Sequence, residues 1–170
     1  IVSILQIKLA ATEAELFGYK ATHSVEAHDT LLRGIALYFE FTQKSIHESL
    51  MLLTKAAQID PNYVAVQPWL ARVTLYPWIM AWDTKSPALD IALSHAQRAI
   101  ELDPRSPYAL SILGWVQLWR HQGDEAISNC RRAVMLDPNN SEAHLFLSLS
   151  LASSGLGQEA LYNSEKAKRF

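Results

Sequence analysis

Apolar side chains recur at three- and four-residue intervals along most of this chain, the spacing that puts them on one stripe of a helix. Short polar stretches interrupt the stripes, and no stretch shows the two-residue alternation of a half-buried strand. Three of the interruptions are nearly the same: "AAQIDPNYV", "AIELDPRSP" and "AVMLDPNNS". In each, a helical pattern ends, an aspartate follows (Asp60, Asp103 or Asp137), and a proline comes next. Proline lacks an N–H and biases the preceding residue away from helical geometry, so the helix stops there. The aspartate carboxylate can accept hydrogen bonds from the turn backbone. Ser106 and Pro107 then read as the N-cap and first residue of the following helix. Ser45 with Glu48 predicts a capping box opening a helix that runs to about Ile59. Ser86 and Pro87 predict the start of a helix ending at Leu102, and Asp124 the cap of one leading to Leu136. Gly155 stands where a C-terminal cap is expected.

The turn prolines are spaced by 43 residues, from Pro61 to Pro104, and then by 34, from Pro104 to Pro138. That period belongs to stacked helical hairpins, none of which can bury its apolar stripe alone. The spacing predicts hairpins near 25–63, 64–106, 107–140 and 141–170, after a helix and linker in 1–24. Positions expected to pack helix against helix are Gly34, Ala56 and Pro61 in the first hairpin, and Leu70, Ala71, Ala92, Ala99 and Pro104 in the second. Leu113, Gly114, Ala126, Ala133 and Pro138 serve the third, and Leu147, Ala160 and Ala167 the fourth. The third hairpin resembles a tetratricopeptide repeat, or TPR, whose pattern is W-x2-L-G-x2-Y, then A-x3-F, A and P. Leu110 stands at the Trp place, Leu113 and Gly114 form the Leu-Gly pair, and Gln117 departs from the aromatic. Ala126, Cys130, Ala133 and Pro138 complete the unit, while the inter-helix glycine is displaced to Gly123, which predicts an irregular turn. The second hairpin is about nine residues longer than a 34-residue unit, around "YPWIMAWDTKSP". Its Trp78 and Trp82 are either a plug for the longer loop or a second contact surface. The expected fold is all-α: a TPR-like hairpin solenoid of about four hairpins plus an N-terminal helix.

Composition narrows the function classes. The 170 residues are 49% hydrophobic and 19% charged, as suits a folded domain with a substantial core. The net charge of −2, from 15 basic and 17 acidic residues, offers nothing to nucleic acid or an anionic membrane. Cys130 is the sole cysteine, so no intrachain disulfide forms; its place in the repeat reads as a buried thiol, and a cytoplasmic location is expected. The opening "IVSILQIKL" has neither Met nor a basic leader and reads as part of a longer protein, not as a signal peptide. No phosphate-cradling glycine motif occurs, and none of the six histidines lies in H-E-x-x-H. No catalytic residue, metal site or cofactor is expected within this segment.

The first helices of the hairpins are apolar on a second face as well. Tyr38 and Phe39, then Trp69, Arg72 and Tyr76, then Tyr108, Ile112, Trp115 and Trp119, and finally Phe146 are expected to line a groove. Two occupants compete for it: the helix in residues 1–20, or a protein or peptide segment, including one from the parent's own catalytic domain. Arg72 is the main cation among these positions, which argues against a clamp for acidic peptide tails. An aromatic groove could instead hold a small apolar ligand, and a chain end without a polar cap raises the expectation of a homodimer.

The strings "VEAHDTLLRGIALY", "KAAQIDPNYV", "HAQRAIELDP", "AVMLDPNNSEAH" and "ALYNSEKAKRF" carry a second resemblance. The chain is similar to the TPR region that follows the catalytic domain in bacterial class III adenylate/guanylate cyclases. Comparable regions occur in bacterial transcriptional regulators with a winged-helix domain. The metal-binding aspartates of such cyclases belong to another domain and have no counterpart here. The resemblance therefore implies a regulatory or interaction segment, with the role of sensor or assembly domain in a transcriptional regulator as the alternative.

Overall fold

The computed structural model describes residues 22–85 and 87–169. Among them are eight α-helices and no strand: α1 (Val25–Tyr38), α2 (Gln43–Ile59), α3 (Val66–Ile79), α4 (Ala88–Leu102), α5 (Pro107–Trp119), α6 (Gly123–Leu136), α7 (Ser141–Ser153) and α8 (Gly157–Ala167). The helix expected in residues 1–20 lies outside the described residues. The chain divides into two compact units between His95 and Ala96, within α4.

The recurring turn behaves as its chemistry requires. Asp60, Asp103 and Asp137 each accept a hydrogen bond from the backbone N–H two residues on, at 3.0, 3.0 and 3.3 Å. Ser106 caps α5 by accepting from the Ala109 N–H, with Pro107 as the first helical residue. Two expected caps are displaced. Helix α2 starts at Gln43, because Thr42 and Ser45 form a reciprocal capping box one turn before the Ser45–Glu48 pair. Helix α6 starts at Gly123 with no side-chain cap from Gln122, and Asp124 sits in its first turn.

The turns after α3, α5 and α7 close alike. The Trp82, Gln122 and Leu156 N–H groups reach back to the carbonyls of Pro77, Gln117 and Leu151 at 2.9, 3.0 and 2.9 Å. The preceding residues, Ala81, His121 and Gly155, have φ of 55°, 59° and 79°. The α5–α6 turn is therefore regular: His121 takes the left-handed position that Gly155 takes after α7, and Gly123 has become the first residue of α6. Left-handed geometry costs an L-residue its Cβ–carbonyl crowding. His121→Gly should accordingly raise stability by about 0.5–1 kcal/mol and Gly155→Ala lower it by about as much, read as urea midpoints.

In the first unit, Leu31, Ile46, Leu53, Ala56, Leu70 and Val73 form the core. Ser49 Oγ donates to the Gly34 carbonyl at 2.7 Å, pinning α2 against α1. His28 Nδ1 meets the Tyr63 hydroxyl at 2.9 Å; burial, then the charge of Asp60, pushes that phenol up to about 12. His95 Nδ1 lies 2.9 Å from Gln67 Oε1, and burial lowers its pKa from the usual 6.5. The folded state thus binds fewer protons at His95 than the unfolded chain in the interval below pH 6.5. Its contribution to stability is full above that pH and is lost as acidification carries the solution toward the lowered value. Urea midpoints at pH 7.5 and 5.5 should show the loss, and His95→Gln should shrink it.

In the second unit, Leu110, Ala133 and Ala143 pack together, with Ile100 and Val134 at their edge. Asn129 Nδ2 donates to Gln117 Oε1 at 2.9 Å across α5 and α6. His144 bridges Asn163 of α8, at 2.9 Å, and the Pro138 carbonyl, at 3.0 Å. Ser148 Oγ donates to the Ala160 carbonyl at 2.9 Å, and Arg131 pairs with Glu159 at 2.7 Å. The predicted packing positions Gly34, Ala56, Leu70, Ala71, Ala92, Ala99, Leu113, Gly114, Ala126, Ala133, Leu147 and Ala160 are buried; Ala167 is half-buried, and the turn residues Pro61, Pro104 and Pro138 are exposed.

Candidate functional site

The richest surface feature of the first unit stands where α1 ends and α2 begins. Tyr38, the last residue of α1, is buried, and the rings of Phe39, Phe41, Trp69 and Tyr76 surround it at centroid distances of 5.4–5.7 Å. All four meet it near edge-on, the arrangement that ring quadrupoles favour. Trp69 and Tyr76 come from one stripe of α3, and Trp82 extends the cluster from Tyr76 at 5.5 Å. The Arg72 guanidinium lies 5.3 Å from the Tyr38 and Trp69 centroids, and its Nε donates to the Tyr38 hydroxyl at 3.2 Å.

Two of these rings face water: Phe39 is 55% exposed and Phe41 48%. Phe41 also has φ of 52°, uncommon for so bulky a side chain. That conformation holds its ring against Tyr38, Phe39 and Tyr76, where it enlarges the exposed aromatic face. Helical spacing gives no access to Phe41, which follows the end of α1. The available signal was the Phe-Glu-Phe string at a helix end.

The second unit places its expected groove residues differently. Trp115 stacks on Phe146 at 5.4 Å with an interplanar angle of 21°. Both are buried, as is Tyr108, and Ile112 has no exposed surface. Trp119 is half-buried and, with Leu118, His121 and Leu149, lines an open cavity of about 520 Å³. Of the ten residues expected along the groove, Tyr38, Tyr108, Ile112, Trp115 and Phe146 are buried, Trp69, Arg72, Tyr76 and Trp119 half-buried, and Phe39 alone exposed.

The chemistry of the described residues is quiet. No group of three His, Cys, Asp or Glu side chains able to hold a metal occurs among them. Cys130 is buried, and burial pushes its thiol up to about 12 despite a hydrogen bond to Ser150, so no nucleophilic thiolate is available there. No described helix is long and apolar enough to cross a membrane.

The arrangement is that of an all-α, TPR-like helical solenoid. A solved structure of MamA matches 96% of this chain and 85% of its own with a TM-score of 0.60 and 18% identity. MamA 41-end from Desulfovibrio magneticus RS-1 matches 84% of this chain and 74% of its own, with a TM-score of 0.61 and 18% identity. No family model matches the sequence. Among proteins compared by sequence, the putative adenylate cyclase 3 of Rhizobium meliloti (strain 1021) is 32% identical over 127 residues, 74% of this chain. The transcriptional regulator HilA of Salmonella typhimurium is 33% identical over 94 residues, 55% of this chain. The chain spans only 22% of the first relative's length and 17% of the second's.

Proposed function

We propose that this chain is a non-catalytic interaction and regulatory segment of a larger bacterial signalling protein, an adenylate or guanylate cyclase acting in the cytoplasm. The observation that carries the reading is the 32% identity, over 74% of the chain, to a putative adenylate cyclase of which this region makes up only 22%. The exposed rings of Phe39 and Phe41 support a docking role, since a rigid, uncharged aromatic face suits a protein segment. The parent's own catalytic domain is the occupant we assign to it. Cyclic nucleotide formation by the full-length parent is the test. Phe39→Ser with Phe41→Ser should change its rate at least threefold with the fold intact, and a parent that forms no cyclic nucleotide overturns the reading.

The match to HilA favours a second reading, in which the segment is the sensing or assembly part of a transcriptional regulator. A parent that binds a specific DNA site and forms no cyclic nucleotide decides for it.

A further inference from the structure

The insertion that lengthens the second hairpin has a use that neither reading absorbs. We propose that it completes a binding site for a small, uncharged, planar nitrogen heterocycle that both donates and accepts hydrogen bonds. The site is a cleft of about 390 Å³ within the first unit, a volume suited to one small molecule. Its accessible apolar surface comes from Leu50 of α2 and Pro77 of α3, both half-buried, and from the exposed Ile91 of α4. The insertion adds the half-buried ring of Trp82.

Three features of that lining select the ligand. The first is a ring held in place. The Trp82 backbone N–H reaches back to the Pro77 carbonyl at 2.9 Å, and Tyr76 meets the indole near edge-on at 5.5 Å. A fixed ring gives a flat aromatic body a surface to pack on without ordering a mobile side chain. The second is a set of uncommitted polar groups. Among the described residues, the side chains of Gln43, His47 and Thr74 and the indole N–H of Trp82 hydrogen-bond to no other protein group. They bring donors and acceptors to the cleft from α2, α3 and the insertion. A hydrocarbon would strip water from them and return nothing, whereas a ring with an N–H and a bare nitrogen can pair with them. The third is charge. Neither lysine nor arginine is among the described residues of the lining, so a phosphate or carboxylate would lose hydration there without a fixed cationic partner. Asp83, whose carboxylate is engaged by the Lys85 N–H, adds nothing that would hold an anion.

Three probes of one shape separate these features. Benzimidazole carries one N–H and one bare ring nitrogen, benzimidazole-5-carboxylate adds a negative charge, and 1-methylindole keeps the bicycle but neither donates nor accepts. Each is titrated at pH 7.5 into the 170-residue chain while the Trp82 indole N–H and the Ile91 methyls are followed by NMR. Benzimidazole should bind at least tenfold more tightly than the carboxylate and at least threefold more tightly than 1-methylindole. His47→Ala with Thr74→Val should abolish the preference over 1-methylindole with helix content unchanged. Trp82→Leu should weaken benzimidazole binding at least fivefold, read at the Ile91 methyls. Equal affinity for benzimidazole and its carboxylate, tighter binding of 1-methylindole, or shifts confined to residues away from the cleft would overturn the assignment, as would the lack of a saturable shift. This outcome is independent of whether the parent is a cyclase.

Discussion

Gly114→Ala should destabilise the second unit by about 1–3 kcal/mol, the usual cost of overpacking, although alanine is the better helix former by about 1 kcal/mol. A Cβ at Gly114 would be driven into Cys130 Sγ and would stand 3.0 Å from the Ala126 carbonyl oxygen, a backbone atom of α6 that cannot swing aside. The clash falls on the seam that makes α5 and α6 a hairpin. Gly34 makes the control. A Cβ there meets Leu53 side-chain carbons at 3.0 Å, and a side chain can give by a few tenths of an ångström, so Gly34→Ala should cost less. Urea midpoints for both variants measure the difference. Adding Cys130→Ala to Gly114→Ala removes the sulfur but leaves the carbonyl, so the double variant should recover part of the loss. Labelling of Cys130, whose thiol is held near 12 and out of reach in the native state, reports opening of the seam directly.

The second large effect belongs to the aromatic cluster. Tyr38→Ala should cost about 3–5 kcal/mol, the range for deleting a buried aromatic side chain, because four rings pack on it and Arg72 stacks over it. Tyr38→Phe keeps the ring and removes the hydroxyl that accepts from Arg72 Nε, so a loss of about 0.5–1.5 kcal/mol is expected. Phe39→Ala, at an exposed ring, should leave the urea midpoint within about 1 kcal/mol of the parent chain. The contrast separates the two halves of the cluster. Tyr38 holds the end of α1 in place, whereas Phe39 presents surface and is open to a partner. Tryptophan fluorescence during unfolding follows both, since Trp69 packs against each ring.

Much of the architecture was legible because the turns carry their own chemistry. An Asp-Pro pair can stop a helix and tie down its turn without any help from the rest of the fold, and all three such turns do so. Small residues such as Gly114 and Ala126 were legible for a related reason: close helix approach leaves few alternatives at those positions. Caps were less so. Thr42 and Ser45 are both competent, and their reciprocal bond, not visible in either residue alone, decides where α2 begins. His121 shows the limit of reading glycine as the turn signal, since the Schellman closure recurs there without one.

The expected groove was the least legible part, and α5 shows why. In "PYALSILGWVQLW" apolar residues occupy nearly every direction, so periodicity cannot say which face a neighbour covers. Nine consecutive residues, Tyr108 to Val116, are buried there. An apolar position in sequence states only that burial is favourable; whether a partner or the protein itself provides it depends on packing. Phe41 was missed for the opposite reason, because it lies in a turn and its exposure follows from one left-handed residue.

Photo-crosslinking tests the central claim most directly, with a benzophenone amino acid placed at Phe39 in the full-length parent and the crosslinked peptides identified by mass spectrometry. An interaction face predicts a defined crosslink from position 39 to a protein segment outside residues 22–169, in the parent's catalytic domain. Crosslinks confined to residues within that range, or none above the level of the same probe at exposed Met135, would contradict it.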